Sequence, residues 1–192
     1  MKAEILNLRT LHAGWSRFLL ARVRLADGTE AEREIEDHGD SVGVLPYDPE
    51  RRVATLVREL RVPALYAAGE QSQLEAPAGL IDAGPPEENA RREVLEETGL
   101  RLHDLEPLGA TYSCGGISTE RIHLFLAGYR ASDRVDGGGG AKGEHENIKV
   151  VEMPLVDLAN LADRGELTDL KTLTLVLALR VRRPDLFAAA ES

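Results

Sequence analysis

Residues 79–100 read GLIDAGPPEENARREVLEETGL, and this stretch does more than any other to decide the fold. A loop rich in glycine and proline leads into a segment with the composition of a helix. Pro86 suits the first helical turn, and Gly99 suits the position just past the last one. At about 100° per residue, four side chains form one stripe that can face a core: Ala90, Val94, Leu95 and Thr98. The pattern predicts a loop followed by a helix with one buried face.

Three glutamates of this segment, Glu93, Glu96 and Glu97, occupy a separate arc of roughly 100° on the helix. A solvated acidic face is the ordinary interpretation of such a cluster. However, Glu93 and Glu97 repel each other at i,i+4, and the dipole of the last helical turn disfavours anions. Hard divalent cations such as Mg²⁺ prefer clustered carboxylate oxygens and would reverse both penalties. Arg92 could hold one carboxylate in place by a bidentate pair.

Residues 92–100, REVLEETGL, resemble the second half of the Nudix box at every fixed position, and Gly79 matches the box's opening glycine. Two departures are visible. The segment between Gly79 and Arg92 is one residue shorter than usual, and Pro85 stands where the first glutamate of the box is expected. The resemblance implies an α/β fold, the Nudix α/β/α sandwich around a mixed sheet.

The resemblance also implies a metal site and its chemistry. The carbonyl of Ala78 and the carboxylates of Glu93 and Glu97 would hold Mg²⁺, with Mn²⁺ as a possible substitute, and Glu96 would assist. Glu146 would be a further ligand or the base that positions water, with Glu144 as the alternative. The catalytic residues implied are therefore Glu93, Glu97 and Glu146.

Three further segments resemble one branch of the family, which hydrolyses ADP-ribose and nucleotide sugars. Residues 58–61, RELR, are similar to a strand whose arginine contacts phosphate. Residues 113–120, SCGGISTE, are similar to a substrate loop, with Cys114 in place of a proline. A Gly-rich run, 137–140, precedes the acidic segment that holds Glu146. Together with the short box and Lys171, these features are closest to the GDP-mannose hydrolases.

The substrate-binding residues implied by the resemblance are Trp15, Arg33, Glu34, Arg61, Gly79, Leu80, Glu120 and Lys171. Arg61 would bind the phosphates, because a guanidinium matches their oxygens. Glu120 would bind sugar or ribose hydroxyls. Trp15 could stack on the base, although a lone aromatic residue on a strand could equally serve packing. Arg58 could contact phosphate or be a surface residue.

The leading hypothesis is a Mg²⁺-dependent hydrolase that cleaves the diphosphate of a nucleoside diphosphate sugar, such as GDP-mannose, to a nucleoside monophosphate and a sugar 1-phosphate. An ADP-ribose diphosphatase, yielding AMP and ribose 5-phosphate, is the alternative within the same class. A nucleotide-sensing protein that has lost catalysis is an alternative of another class. A purely structural dimer module would leave the acidic cluster unexplained.

The composition limits the partners. The chain has 192 residues and a formal net charge of −10, so nucleic acid and anionic membranes would be repelled. Cys114 is the single cysteine, which excludes an intrachain disulfide and a Cys-rich zinc site. No signal peptide or membrane-length apolar run is recognisable. We therefore expect a cytoplasmic enzyme with a small-molecule substrate.

Two domains are predicted. Residues 1–40 form a small N-terminal antiparallel β unit, with a hairpin turn at Asp27-Gly28; three short strands have little to bury alone, so we expect them to pack on a second subunit of a homodimer. Packing on the same chain is the alternative.

Residues 41–192 form the Nudix domain. Within it, Val62–Gly69 is predicted to be a connection broken by Pro63, Gly137–Gly140 a flexible loop, and residues 170–182 a helix with a leucine-rich core face.

Overall fold

The computed structural model describes residues 2–140 and 147–188. They group into two compact units. The first comprises Met1–Asp40 and Thr111–Ile122, and the second Ser41–Ala110 and His123–Ser192.

The first unit is built on a three-stranded antiparallel sheet. Its strands follow the chain in the order β1 (Glu4–Ala13), β2 (Arg17–Arg24) and β3 (Glu30–Asp37). The predicted Asp27-Gly28 turn joins the last two. Gly28 has a φ of 90°, which suits glycine, and Asp27 accepts a hydrogen bond from the Thr29 amide at 2.9 Å. The predicted antiparallel unit is confirmed as a sheet, and its edge strand β1 is exposed along its whole length.

The second unit contains a seven-stranded sheet. Five of its strands are hydrogen-bonded in the order β10-β5-β4-β9-β8, β6 pairs with β5, and β7 pairs with β4. The strands are β4 (Ser41–Asp48), β5 (Val53–Glu59), β6 (Gln73–Glu75), β7 (Ala78–Leu80), β8 (Glu106–Tyr112), β9 (Arg121–Gly128) and β10 (Lys149–Pro154). The central strand β4 is buried throughout, which explains why its sequence is a nearly continuous apolar run.

Four helices lie in the described part of this unit: α1 (Val62–Ala68), α2 (Pro86–Thr98), α3 (Leu155–Asp163) and α4 (Leu170–Arg182). α2 has the predicted bounds, and it packs against β4 and β7. Its buried side chains Ala90 and Val94 join a core cluster with Val42, Val44 and Phe125. The predicted α/β fold class is confirmed.

One predicted connection was wrong. The segment Val62–Gly69 is not broken at Pro63 but forms α1. Pro63 occupies the first turn, where no intrahelical bond needs its missing N–H. Gly69 ends the helix with a φ of 73°, and its amide donates to the Leu65 carbonyl, as a left-handed cap does. The proline therefore begins a helix rather than interrupting one.

Only part of the leucine-rich face predicted for α4 is buried. Leu175, Val176 and Leu179 are fully buried, whereas Leu177 is 43% exposed and Leu173 is only partly buried. In the described residues, no helix is both long enough and apolar enough to cross a membrane.

The two leucines on α4 provide a matched test of this core. We expect Leu175→Ala to lower the free energy of unfolding by about 2–5 kcal/mol, because it leaves a cavity where the side chain is fully buried. Leu177→Ala, at the exposed position, should change it by no more than about 0.5 kcal/mol. Urea unfolding followed by circular dichroism measures both. Equal losses in the two variants would contradict the helix orientation.

Candidate active site

Gly79 lies against the carboxylate of Glu93. A Cβ atom built at Gly79 would come within 2.1 Å of the Glu93 Cδ, a separation that real side chains do not tolerate. The strand β7 can therefore approach α2 this closely only because residue 79 has no side chain. The Glu93 side chain is largely buried by the approach.

Glu97, one helical turn further on, contacts the preceding residue of the same strand. Its Oε2 accepts a hydrogen bond from the Ala78 amide at 3.3 Å, and the residue is only 4% exposed. The peptide carbonyl of Ala78 lies along the backbone between these two contacts. The structure thus brings together four residues predicted from the sequence, Ala78, Gly79, Glu93 and Glu97, and Leu80 follows them on β7.

Arg92 balances part of the negative charge on this helix. Its guanidinium lies 2.7 Å from Glu93 Oε1, 3.1 Å from Glu96 Oε2 and 3.2 Å from Asp82 Oδ2. Glu96 is the more exposed member of the cluster, with a side chain 36% accessible. Arg92 therefore joins the helix to the loop before it and holds two of the three glutamates.

The donor atoms of this cluster suit a hard cation. Within residues 2–140 and 147–188, no group of three or more acidic, histidine or cysteine side chains is arranged as a metal site by itself. Two buried carboxylates and an adjacent backbone carbonyl are nevertheless all oxygen donors, which Mg²⁺ and similar ions prefer. The residues present fit a divalent cation that completes its coordination with water or further ligands.

The Gly-rich run caps the helix that carries the glutamates. The amide of Gly139 donates to the Glu97 carbonyl at 2.8 Å, and that of Gly140 to the Glu96 carbonyl at 3.1 Å. Gly138 has a φ of 65°, and a Cβ there would lie 2.3 Å from the Glu97 carbonyl oxygen. Gly137–Gly140 is a loop, as predicted, and two of its amides are hydrogen-bonded to the end of α2. Its glycines are needed for close backbone contact, and they satisfy carbonyls that the helix end leaves open.

A buried ion network lies beside β7. Its central residue, Glu75, is not among the site residues predicted from the sequence. Glu75, 2% exposed, accepts two hydrogen bonds from Arg61, at 2.8 and 3.0 Å, and also contacts the ammonium of Lys171. Arg61 further contacts Glu59 at 2.6 Å, and Lys171 contacts Asp169 at 3.1 Å. A single carboxylate thus joins two cations that the resemblance assigned to the substrate.

The network remains charged. Burial would raise the pKa of the Glu75 carboxyl, but hydrogen bonds and charge from Arg61 and Lys171 outweigh it and lower that pKa. For Arg61, burial opposes the charged form, and Glu75 and Glu59 more than compensate, so the pKa of its guanidinium is raised. Arg61 contacts Glu75 through Nε and Nη2 and Glu59 through Nη2.

The same region ties α4 to the strand that leads to Ala78. The Ala76 amide donates to Thr172 Oγ1 at 2.6 Å, and Asp169 caps the helix by accepting from the Thr172 amide. Only a weak sequence signal pointed to Glu75: an acid between Leu74 and Ala76 in a short extended segment. Its partner Arg61 is 14 residues away in the chain and its partner Lys171 is 96 residues away, so pattern alone could not identify the network.

The other substrate residues implied by the sequence lie in the first unit. Trp15 stands between β1 and β2 and is 77% exposed. Arg33 and Glu34 are exposed on β3, and Arg33 donates to the Glu32 carbonyl at 2.8 Å. Glu120 lies 4.0 Å from the His38 ring nitrogen Nε2. Glu146 and its alternative Glu144 lie outside the described residues.

Comparison with known proteins gives a consistent result. Residues 37–175 match the family model described as "NUDIX domain". The chain is 38% identical over 146 residues to a GDP-mannose pyrophosphatase of Citrobacter koseri, covering 76% of this chain and 75% of that protein. It is 38% identical over 152 residues to that of Cronobacter sakazakii, covering 79% and 78%. It is 39% identical over 146 residues to that of Pectobacterium atrosepticum, covering 75% and 74%.

A solved structure described as an ADP compounds hydrolase has a similar fold. It matches with a TM-score of 0.78 at 20% sequence identity and covers 96% of each chain. At this level of identity, the likeness concerns the fold.

Two neighbouring glycines test the cap on the glutamate helix. We expect Gly138→Ala to destabilise the protein by about 1–3 kcal/mol, because a left-handed residue gains a Cβ that collides with backbone. Gly137→Ala is the matched control, since a Cβ there would meet no atom within 4 Å. Thermal unfolding of the two variants measures the difference. Equal melting temperatures would show that the run does not cap the helix.

Proposed function

The chain belongs to the Nudix family, and from that premise we propose that it hydrolyses the diphosphate of a nucleoside diphosphate sugar such as GDP-mannose. The products would be a nucleoside monophosphate and a sugar 1-phosphate. The observation that carries the proposal is the pair of buried carboxylates, Glu93 and Glu97, packed against the backbone of residues 78 and 79. The 38% identity to GDP-mannose pyrophosphatases supports the choice of substrate.

The family generally uses a divalent metal ion, and we propose Mg²⁺, with Mn²⁺ as a substitute. Glu93, Glu97 and the Ala78 carbonyl would hold it, and Glu96 would assist. When bound, the ion neutralises diphosphate oxygens and lowers the pKa of a coordinated water. Glu146, or alternatively Glu144, would be a further ligand or the base that positions the attacking water.

The protein's own part in this scheme is to fix these groups before substrate arrives. Gly79 permits Glu93 to lie against β7, and the Ala78 amide orients Glu97. Gly139 and Gly140 hold the carbonyls at the helix end. Because the carboxylates are positioned by backbone, little reorganisation is needed during the reaction, which favours catalysis.

Arg61 and Lys171 would bind the diphosphate. Glu75 and Glu59 hold the Arg61 guanidinium in place, and its planar set of N–H donors would match the oxygens of a phosphate. Glu75 raises the pKa of the Arg61 guanidinium and holds the two side chains close together. Gly79 and Leu80 would contribute backbone contacts, and residues of the first unit, namely Trp15, Arg33, Glu34 and Glu120, would recognise base and sugar.

ADP-ribose hydrolysis is the second candidate, because residues 113–120, SCGGISTE, resemble the substrate loop of the branch that hydrolyses both ADP-ribose and nucleotide sugars. Cys114, in place of the usual proline, weakens a pure ADP-ribose assignment. A catalytically inactive sensor is the alternative of another class. The complete set Glu93, Glu96 and Glu97 speaks against it, since a protein that only binds nucleotides has no need for three clustered carboxylates.

A substrate panel tests the proposal. We expect the purified protein with Mg²⁺ to hydrolyse GDP-mannose with a higher kcat/KM than ADP-ribose, and to lose activity when EDTA removes the metal. Release of nucleoside monophosphate, followed by chromatography, is the measurement. Inactivity towards all nucleotide sugars and ADP-ribose would overturn the assignment.

Glu97→Gln separates catalysis from binding in the same assay. The substitution removes one metal-binding charge but keeps the size of the side chain, so we expect turnover to fall by about a hundredfold or more while the substrate still binds. Leu177→Ala, on the exposed side of α4, is the control and should retain full activity. Unchanged turnover in the glutamine variant would contradict the metal assignment.

We also propose that the protein is a homodimer through its first unit. β1 is the edge of its sheet, paired on one side only, and all ten of its residues are exposed. Ile5 is 58% exposed and Leu8 51%. A long, apolar edge strand is a site for pairing with another chain, and a second copy would cover it. No nucleic acid or membrane partner is proposed, in keeping with the net charge of −10.

Light scattering on the full chain tests whether β1 forms a dimer interface. We expect Leu8→Glu to convert a dimer to a monomer, because it places a charge in the covered apolar strand. Leu170→Glu is the matched control, since Leu170 is similarly exposed at 60% but lies in the second unit. A wild-type monomer, or a dimer that survives Leu8→Glu, would rule out this interface.

A further inference from the structure

His38, which immediately follows β3, lies between an aromatic ring and two carboxylates. Its imidazole centroid is 4.9 Å from that of Trp15, with the rings tilted by 31°. Its Nε2 is 3.6 Å from Glu36 Oε2 and 4.0 Å from Glu120 Oε2. All four residues belong to the first unit.

One serine joins the carboxylate of Glu36 to the backbone of Glu120. Ser118 Oγ donates to Glu36 at 2.8 Å and accepts from the Glu120 amide at 3.2 Å. The backbone of Glu36 also pairs with that of Ile117 and Thr119. These hydrogen bonds hold the loop that carries Glu120 against β3. The His38 ring lies near a carboxylate from each of them, Glu36 and Glu120.

The ring nitrogen of His38 that faces the two carboxylates is Nε2. Among the described residues, the buried Nδ1 has no hydrogen-bond partner, and a buried donor N–H without an acceptor would be costly. A proton on Nε2 instead points towards the carboxylates of Glu36 and Glu120. The neighbouring charges on β2 and β3, Arg17 and Asp37, are paired with each other.

Trp15 is the only tryptophan of the chain, and it is mostly exposed although it stacks on His38. An indole supported on one side and open on the other is suited to stacking on a flat ligand ring. Without the imidazole, the side chain would gain rotameric freedom that binding would have to remove.

We infer that His38 is a positioning residue for nucleoside recognition: its ring supports Trp15 for stacking on the base, and its Nε2 orients Glu120 towards sugar hydroxyls. The inference rests on the proposed function, because Trp15 and Glu120 are assigned to the substrate there. His38 itself need not touch the substrate.

Two variants separate the two contacts. His38→Phe keeps an aromatic ring beneath Trp15 but removes Nε2, whereas His38→Gln keeps an N–H donor but removes the ring. We expect His38→Gln to raise KM for GDP-mannose about threefold to tenfold, the range of one aromatic pair, and kcat to stay within about twofold. His38→Phe should recover part of this loss. His103→Phe, at an exposed histidine of the second unit, should leave KM unchanged.

The fluorescence of Trp15 gives a readout that a merely structural role would not move. His38→Gln removes the ring that packs on Trp15, so we expect iodide to quench Trp15 emission more strongly in this variant than in the wild type. His38→Phe and His103→Phe should be quenched as the wild type is. Equal quenching in the wild type and His38→Gln, or unchanged KM in both His38 variants, would overturn the inference.

Titrating the protein with GMP while following Trp15 emission tests the role of His38 separately from the proposed hydrolysis. If no nucleotide sugar is hydrolysed, the proposed function fails, but GMP quenching still reports base stacking. We then expect His38→Gln to weaken GMP binding about threefold or more, and equal GMP affinity in wild type and variant would contradict the role of His38.

Discussion

The burial of two like-charged carboxylates on one helix is the constraint on which the second unit depends. Glu93 and Glu97 lie one turn apart on α2, and Glu97 is almost completely removed from water. Alone, such a pair repels and loses hydration. Three groups offset this repulsion and loss of hydration: the guanidinium of Arg92, the N–H of Ala78 and, through space, the charge of Arg61. A bound cation would complete the same compensation.

A third carboxylate, that of Glu75, is also buried. Glu75 is surrounded by cations, so burial is outweighed and the carboxyl stays ionised. Since Arg61 and Lys171 come from different elements, the ion network also joins the end of β5 and the start of α4 to the strand before Ala78. Breaking a buried pair leaves an uncompensated charge. The network therefore positions the backbone that carries the Ala78 carbonyl as well as two groups proposed to bind phosphate.

The sequence predicted those parts that local chemistry determines. The bounds of α2 follow from Pro86, Gly99 and a helical apolar stripe, and the first sheet follows from alternation and an Asp-Gly turn. The sequence does not predict α1, because a proline inside a helix breaks it, whereas Pro63 lies at the start, where proline is favourable. The cap formed by Gly139 and the contacts of Glu75 could not be predicted, since both depend on residues that are distant in the chain. The roles of Trp15, Arg33, Glu34 and Glu120 stay predictions.

The shortened box illustrates how one local departure is compensated by another residue. Pro85, which replaces an acid at this point, adopts extended backbone before α2 and offers no side-chain cap. Asn89, which is buried, donates from its amide to the carbonyls of Ala83, at 2.8 Å, and Pro85, at 3.1 Å. Its Oδ1 in turn accepts from Arg92 at 3.3 Å. The loop is thus held from inside the helix, and through Arg92 its position is linked to that of Glu93, so the missing acid need not disturb the carboxylates.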